Sequence, residues 1–124
     1  MTVSTDLPQI LVIDDEMGPR ESLRMLLKPD YQVHTADCVE AGIKLLKENQ
    51  PDTIVMDIRM PGMSGLELQA KLNSERCKIP IIFITAHGDE KLRMQALRAG
   101  AVEFMAKPFD DEALLESVRV ALEN

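Results

Sequence analysis

Aromatic side chains are scarce: the 124 residues include no tryptophan, one tyrosine and three phenylalanines. An apolar core must therefore be assembled from Ile, Leu, Val and Met. Cysteine is scarce too. Cys38 and Cys77 lie far apart and form no C-x-x-C pair, so neither a zinc site nor a disulfide framework is signalled, and a reducing compartment fits. A surplus of cations is missing: 14 Lys and Arg stand against 21 Asp and Glu, a formal charge of −7. Such a chain has no excess positive charge with which to release phosphate counterions, so nucleic acid is not expected as a direct partner. No apolar run approaches the roughly 20 residues of a membrane span. The opening Met1-Thr2-Val3-Ser4-Thr5-Asp6 lacks the charged and apolar regions of a secretion signal. No membrane partner is expected, and the expected location is cytoplasmic. Repeats, low-complexity stretches and linkers are absent as well, and the length suits one domain.

What is present is a regular alternation. Short apolar runs occur at 9–13, 31–36, 53–56, 80–84 and 101–106, each too short for a typical helix and rich in β-branched residues or bounded by turn formers. Stretches of helical spacing separate them: Leu23, Leu26 and Leu27; Val39, Ile43 and Leu46; Leu66, Ala70 and Leu72; Leu92, Ala96 and Ala99; and Leu114, Leu115, Val118, Ala121 and Leu122. Asp37 with Glu40 and Ser64 with Glu67 have capping-box spacing, and Gly100 is placed to stop the fourth helix. The pattern is (βα) repeated five times, which predicts a parallel sheet covered by helices on both faces. Runs one, three and four are almost continuously apolar, as interior strands should be. Runs two and five carry Gln32, His34 and Glu103 mid-strand, as edge strands can. The predicted order is 2-1-3-4-5, a doubly wound, flavodoxin-like α/β fold. Right-handed crossovers then put the first and last helices on one face and the middle three on the other. His34, on an edge strand, is expected to be a polar surface residue out of reach of any site.

In such a sheet, ligands bind beyond the carboxyl ends of the strands near the reversal of strand order. Strand one ends in Asp14-Asp15-Glu16, strand three in Asp57, strand four in Thr85 and strand five in Lys107-Pro108. Adjacent carboxylates repel unless a cation joins them, and hard oxygen ligands with room for water suit Mg²⁺. A divalent cation, a free carboxylate and a lysine together can hold a dianionic phosphoryl group for in-line attack. Asp57 is the candidate nucleophile, because it closes the central strand and precedes a turn rich in Pro and Gly, residues 58–65, whose amides can approach an anion. Asp14 and Asp15 are the candidate metal ligands. Lys107 is placed to pair with one phosphate oxygen and Thr85 to hydrogen-bond another.

The segments at 10–16, 55–65, 81–86 and 104–109 resemble the CheY-like receiver domain of two-component response regulators, with FixJ-like and NtrC-like regulators as the nearer groups. The resemblance spans about residues 8–122 of a single domain over 1–124, leaving 1–7 as an N-terminal extension. It implies that Asp57 accepts a phosphoryl group from a sensor histidine kinase or phosphotransfer protein. Asp15, Asp57 and the Arg59 backbone carbonyl would ligate Mg²⁺, with Asp14 acting through a bound water. Thr85 and Phe104 would be the switch pair, and Lys107-Pro108 the family's cis peptide. A C-terminal DNA-binding output domain, not contained in this chain, is a further implication, as is kinase docking near Glu16-Met17 and the first helix.

Residues flanking these positions give softer signals. Arg59, Ala86 and His87 are candidate modulators of access to the phosphoacceptor. On the fourth helix, Met94 and Leu97 fall opposite the packing face between Arg93 and Arg98, which suggests a phosphorylation-enhanced homodimer through that helix and the fifth strand. A phosphatase of the haloacid dehalogenase type would need Asp-x-Asp after strand one, and a P-loop enzyme a G-x-x-x-x-G-K-[ST] run; neither occurs. The remaining alternative is a phosphorylation-independent interaction module with the same fold. No turnover of an external substrate is expected.

Overall fold

The computed structural model describes residues 7–86 and 89–123. Five strands, β1 (Gln9–Ile13), β2 (Gln32–Ala36), β3 (Thr53–Met56), β4 (Ile81–Thr85) and β5 (Glu103–Ala106), form one parallel sheet of order β2-β1-β3-β4-β5. The helices are α1 (Met17–Leu27), α2 (Val39–Asn49), α3 (Gly65–Ser74), α4 (Glu90–Arg98) and α5 (Asp111–Glu123). The fold is the expected doubly wound one, with β2 and β5 at its edges. No helix among the described residues is long and apolar enough to cross a membrane.

Strand alternation sorts the core into two layers. Leu11, Ile13, Ile54, Met56 and Phe83 face α2, α3 and α4. Ile10, Val12, Val55, Ile82 and Ile84 face Leu23 and Leu27 of α1 and Leu114, Val118 and Ala121 of α5. An aromatic pair, Phe83 and Phe104, lies in the first layer with ring centroids 6.4 Å apart. His34 is half-buried on its edge strand, its Nε2 3.0 Å from Oε1 of Gln9.

Several local expectations need correction. β2 starts at Gln32 rather than Tyr31 and β5 at Glu103 rather than Ala101. β4 starts at Ile81, because Pro80 has no N–H to give to a ladder, and runs on to Thr85. Asp37 does not cap α2. Cys38 does, with extended backbone and its Sγ accepting from Ala41 N–H at 3.4 Å, which leaves Asp37 exposed and turns Val39 into the core. Ser64 and Glu67 do form the capping box of α3. The buried stripe of α3 is Gly65, Leu68, Gln69 and Leu72, so Ala70 points outward.

α4 ends in a full Schellman motif: Gly100 N–H donates to Leu97 O and Ala101 N–H to Ala96 O, both at 3.0 Å, with Gly100 at φ +105°. Ala99 is therefore the exposed C-cap and not part of the packing face. Ala96 is the buried residue of α4, and half-buried Leu92 packs with it against the core as expected; Leu97, 100° beyond Ala96, falls on the flank and is half-buried. Met94, on the far side, is 37% exposed, and Arg93 and Arg98 are exposed.

Candidate functional site

Three of the predicted residues are set by one more backbone bond beyond the paired strands. Asp14 N–H donates to Ala36 O at 3.1 Å, Asp57 N–H to Ile13 O at 3.0 Å and Lys107 N–H to Thr85 O at 3.0 Å. The hydrogen-bonded sheet thus fixes where these side chains begin. The Lys107–Pro108 bond is cis.

The side chains meet. Lys107 Nζ donates to Asp14 Oδ2 and to Asp57 Oδ2, both at 2.8 Å, and lies 3.6 Å from Glu16 Oε1. Asp14 and Asp57 are 1% and 4% exposed, and Thr85 beside them is 1% exposed. The second oxygen of each carboxylate is also engaged: Asp14 Oδ1 accepts from Glu16 N–H at 2.9 Å and Asp57 Oδ1 from Arg59 N–H at 3.2 Å. Two buried carboxylates on one ammonium leave net negative charge in a poorly hydrated place.

The burial shows in the protonation of Asp14 and Lys107. Burial holds the Asp14 carboxyl above the ordinary carboxylate value, and the hydrogen bonds from Lys107 and the Glu16 amide only partly oppose it. Burial pulls the Lys107 ammonium the other way, yet its bonds to Asp14 and Asp57 outweigh this and hold it above the usual lysine range.

Oxygens of Asp14, Glu16 and Asp57 lie within 4.8 Å of one another, an all-oxygen set that fits a hard divalent cation such as Mg²⁺. Asp15, the expected direct ligand, is exposed and does not join this group. Glu16 does, although as a strand-end acid it attracted no ligand role from sequence. Arg20 is a second residue missed: its Nη1 donates to the Asp14 carbonyl at 2.9 Å and braces the end of β1. No spacing rule would have found it.

Other candidates sit further out. Arg59 and Ala86 are exposed on the loops that follow β3 and β4. Phe104 is half-buried against Phe83, below the rim. His87 lies outside the described residues. Gly65 closes the β3–α3 loop, its N–H donating to Ile58 O at 2.8 Å.

Comparison with known proteins agrees with this geometry. Residues 10–119 match the response regulator receiver domain. The C4-dicarboxylate transport transcriptional regulatory protein DctD of Pseudomonas aeruginosa is 43% identical over 116 residues, covering 93% of this chain and 25% of that protein. The transcriptional regulatory protein FixJ of Azorhizobium caulinodans is 42% identical over 116 residues, covering 90% of this chain and 53% of that protein. The chain thus spans a quarter to about half the length of these relatives. Among solved structures, the response regulator StyR superposes with a TM-score of 0.86 at 44% identity, over 94% of this chain and 60% of that one. FixJ-N does so with a TM-score of 0.84 at 36% identity, over 94% of both chains. By sequence match and by fold, the chain belongs to the response regulator receiver domain family.

Proposed function

We propose that this domain is a phosphorylation-activated receiver of a two-component system, and that Asp57 is its phosphoacceptor. The observation that carries the reading is the Lys107 ammonium held at 2.8 Å from both Asp14 and Asp57 at the rim of the sheet. The donor would be the phosphohistidine of a sensor kinase or phosphotransfer protein. A carboxylate oxygen of Asp57 attacks phosphorus, the phosphorus–nitrogen bond of the donor breaks, and the imidazole leaves with the bonding electron pair. The product is an aspartyl phosphate, an acyl phosphate anhydride. This is group transfer within signalling and not turnover of an external substrate.

Mg²⁺ would be held by the converging oxygens of Asp14, Glu16 and Asp57 and by the Arg59 carbonyl, with Asp15 joining once its exposed side chain turns inward. When bound it supplies the positive charge that balances the oxygens of the transferring group. Lys107 is positioned to turn from Asp57 to a phosphoryl oxygen while keeping its bond to Asp14. Thr85 offers a hydroxyl on the same rim. The engagement of that hydroxyl favours a second arrangement, in which Phe104 turns into the space beneath it and the surface of α4 and β5 is reshaped. That surface, with Met94 between Arg93 and Arg98 and Leu97 on its flank, would serve a phosphorylation-enhanced homodimer or an output domain, DNA-binding in a transcriptional regulator. Arg59 and Ala86, exposed on the loops after β3 and β4, would tune the lifetime of the phosphorylated state, as would His87 by its place in the sequence two residues after Thr85.

The test is intact-protein mass spectrometry after incubation with acetyl phosphate, with and without Mg²⁺, on the wild type and on Asp57→Asn. The expected result is a phosphoryl adduct that requires both Mg²⁺ and Asp57. Absence of an adduct, together with no spectral response to beryllofluoride and Mg²⁺, would leave a phosphorylation-independent interaction module as the reading.

A further inference from the structure

α4 has a narrow apolar contact with the core, made by Ala96 and half-buried Leu92. Ala96 is its only fully buried residue, whereas α5 buries Leu114, Val118 and Ala121. Burial of one methyl group contributes little, and Leu92 packs against the core near the start of the helix, not at its end. The carboxyl end of α4 is held instead by polar bonds from α3. Gln69 Nε2 donates to the carbonyl of Ala96 at 2.9 Å, and one helical turn later Asn73 Nδ2 donates to the carbonyl of Ala99 at 2.9 Å. Residues four apart share a helix face, so the two amides form a two-point hold on the end of α4.

Gln69 is an anomaly in its place. It belongs to the buried stripe of α3 and is 2% exposed, where an apolar side chain would pack as well without needing a partner. Beside the hold lies an open cavity of about 530 Å³, lined among others by Gln69, Leu72, Asn73, Ala99, Gly100 and Val102, so this end of α4 has unfilled space beside it. The cavity also touches Pro80 and Ile81 at the start of β4, which puts the hold at the end of the sheet remote from Asp57.

We propose that Gln69 and Asn73 form a latch that ties α4 to α3 and sets the resting arrangement of the α4–β5 face. The proposal rests on the reading of the domain as a phosphorylation-responsive receiver. With the latch closed, α4 cannot shift or unwind its last turn alone. Doing so would leave the Gln69 amide buried without an acceptor. The latch thus weights the equilibrium toward the resting state, and the phosphoryl group must overcome that weight. Ala96 O also accepts from Ala101 N–H, so losing Gln69 removes the tie without orphaning that carbonyl.

The test uses Gln69→Leu and Asn73→Ala, the second at an exposed position where folding is not at risk. Amide hydrogen exchange of α4 is followed in the free protein, and half-saturation by beryllofluoride with Mg²⁺ is followed by NMR. The latch predicts faster exchange in α4 relative to α1 and α5. It also predicts a half-saturation point lowered about threefold to tenfold, the range expected when one hydrogen bond biasing a two-state equilibrium is lost. A wild type that responds to beryllofluoride, with variants that match it in both measurements, overturns the latch alone. Faster exchange at unchanged half-saturation removes its regulatory role. A wild type that ignores beryllofluoride overturns the receiver reading itself, and with it the regulatory role of the latch.

Discussion

A β-carbon placed on Gly65 would lie 2.5 Å from the backbone carbonyl oxygen of Asp57, and 3.1 Å and 3.2 Å from the Phe83 ring and Ile58 Cα. α3 therefore begins in direct contact with the backbone that carries Asp57, the proposed phosphoacceptor. Gly65→Ala should lower stability by about 1–3 kcal/mol through overpacking and slow labelling by acetyl phosphate. Gly18→Ala on α1, where a β-carbon meets nothing within 4 Å, should leave labelling unchanged. Urea melts and labelling time courses on the two variants make the comparison.

Lys107 is the cation shared by two nearly inaccessible carboxylates. Lys107→Met leaves both without it and should cost about 3 kcal/mol at neutral pH in metal-free buffer, the usual penalty for breaking a buried pair from one side. Added Mg²⁺ should recover more stability in this variant than in the wild type, because a cation re-enters the carboxylate group. Thermal melts across a Mg²⁺ series would contradict this if the two proteins gained equally.

Asp14 gives a pH signature. Its folded carboxyl holds a proton more firmly than the unfolded one, whose ordinary value is 3.8. The stability this contributes is complete below pH 3.8 and is lost as the pH rises through the folded value. Asp14→Asn should therefore melt above the wild type at neutral pH without metal, with the gap closing toward acid. Lys107 acts at the other limb: its folded value is raised above 10.5, so its contribution holds below pH 10.5 and is lost as the pH rises through the folded value. Melting temperatures of both proteins from pH 3 to 7 test the acid limb.

Thr53 begins the central strand fully buried, and its Oγ1 has no hydrogen-bond partner among the described residues. Thr53→Val keeps the shape and removes the unsatisfied hydroxyl. It should stabilise the domain by about 1 kcal/mol and leave the beryllofluoride response as it was. Equilibrium unfolding checks the first point and the titration the second.

The sheet was legible because both-face burial leaves a continuous apolar run, and Ile10 to Ile13 or Ile81 to Ile84 cannot be read otherwise. Asp14, Asp57 and Lys107 were legible because strand order alone brings strand ends together. Features that depend on how a helix rolls against the sheet were not. Leu97 moved to a flank because Leu92 and Ala96, without Ala99, mark the core-facing side of α4. Cys38 displaced Asp37 as a cap because Val39 had to face the core. Gln69 was invisible for a deeper reason: in a helical pattern a glutamine reads as solvent-facing, and only its distance to Ala96 O reveals otherwise. Glu16 and Arg20 depend on how the chain turns from β1 into α1, which spacing does not encode.

The two core layers also divide the molecule's tasks. Phe83, Phe104, Gln69 and Ala96 all lie on the α2–α4 side, while α1 and α5 close the opposite side with Leu23, Leu27, Leu114 and Val118. On the proposed receiver reading, one side is a foundation and the other also carries the switch, separated by the thickness of a sheet. Conservative changes in the foundation should raise or lower the melting point while leaving the signal threshold alone. Equally conservative changes on the opposite side should move threshold and melting point together, because the layer that carries Phe104 and Gln69 is also the core built on Phe83, Ile54 and Met56.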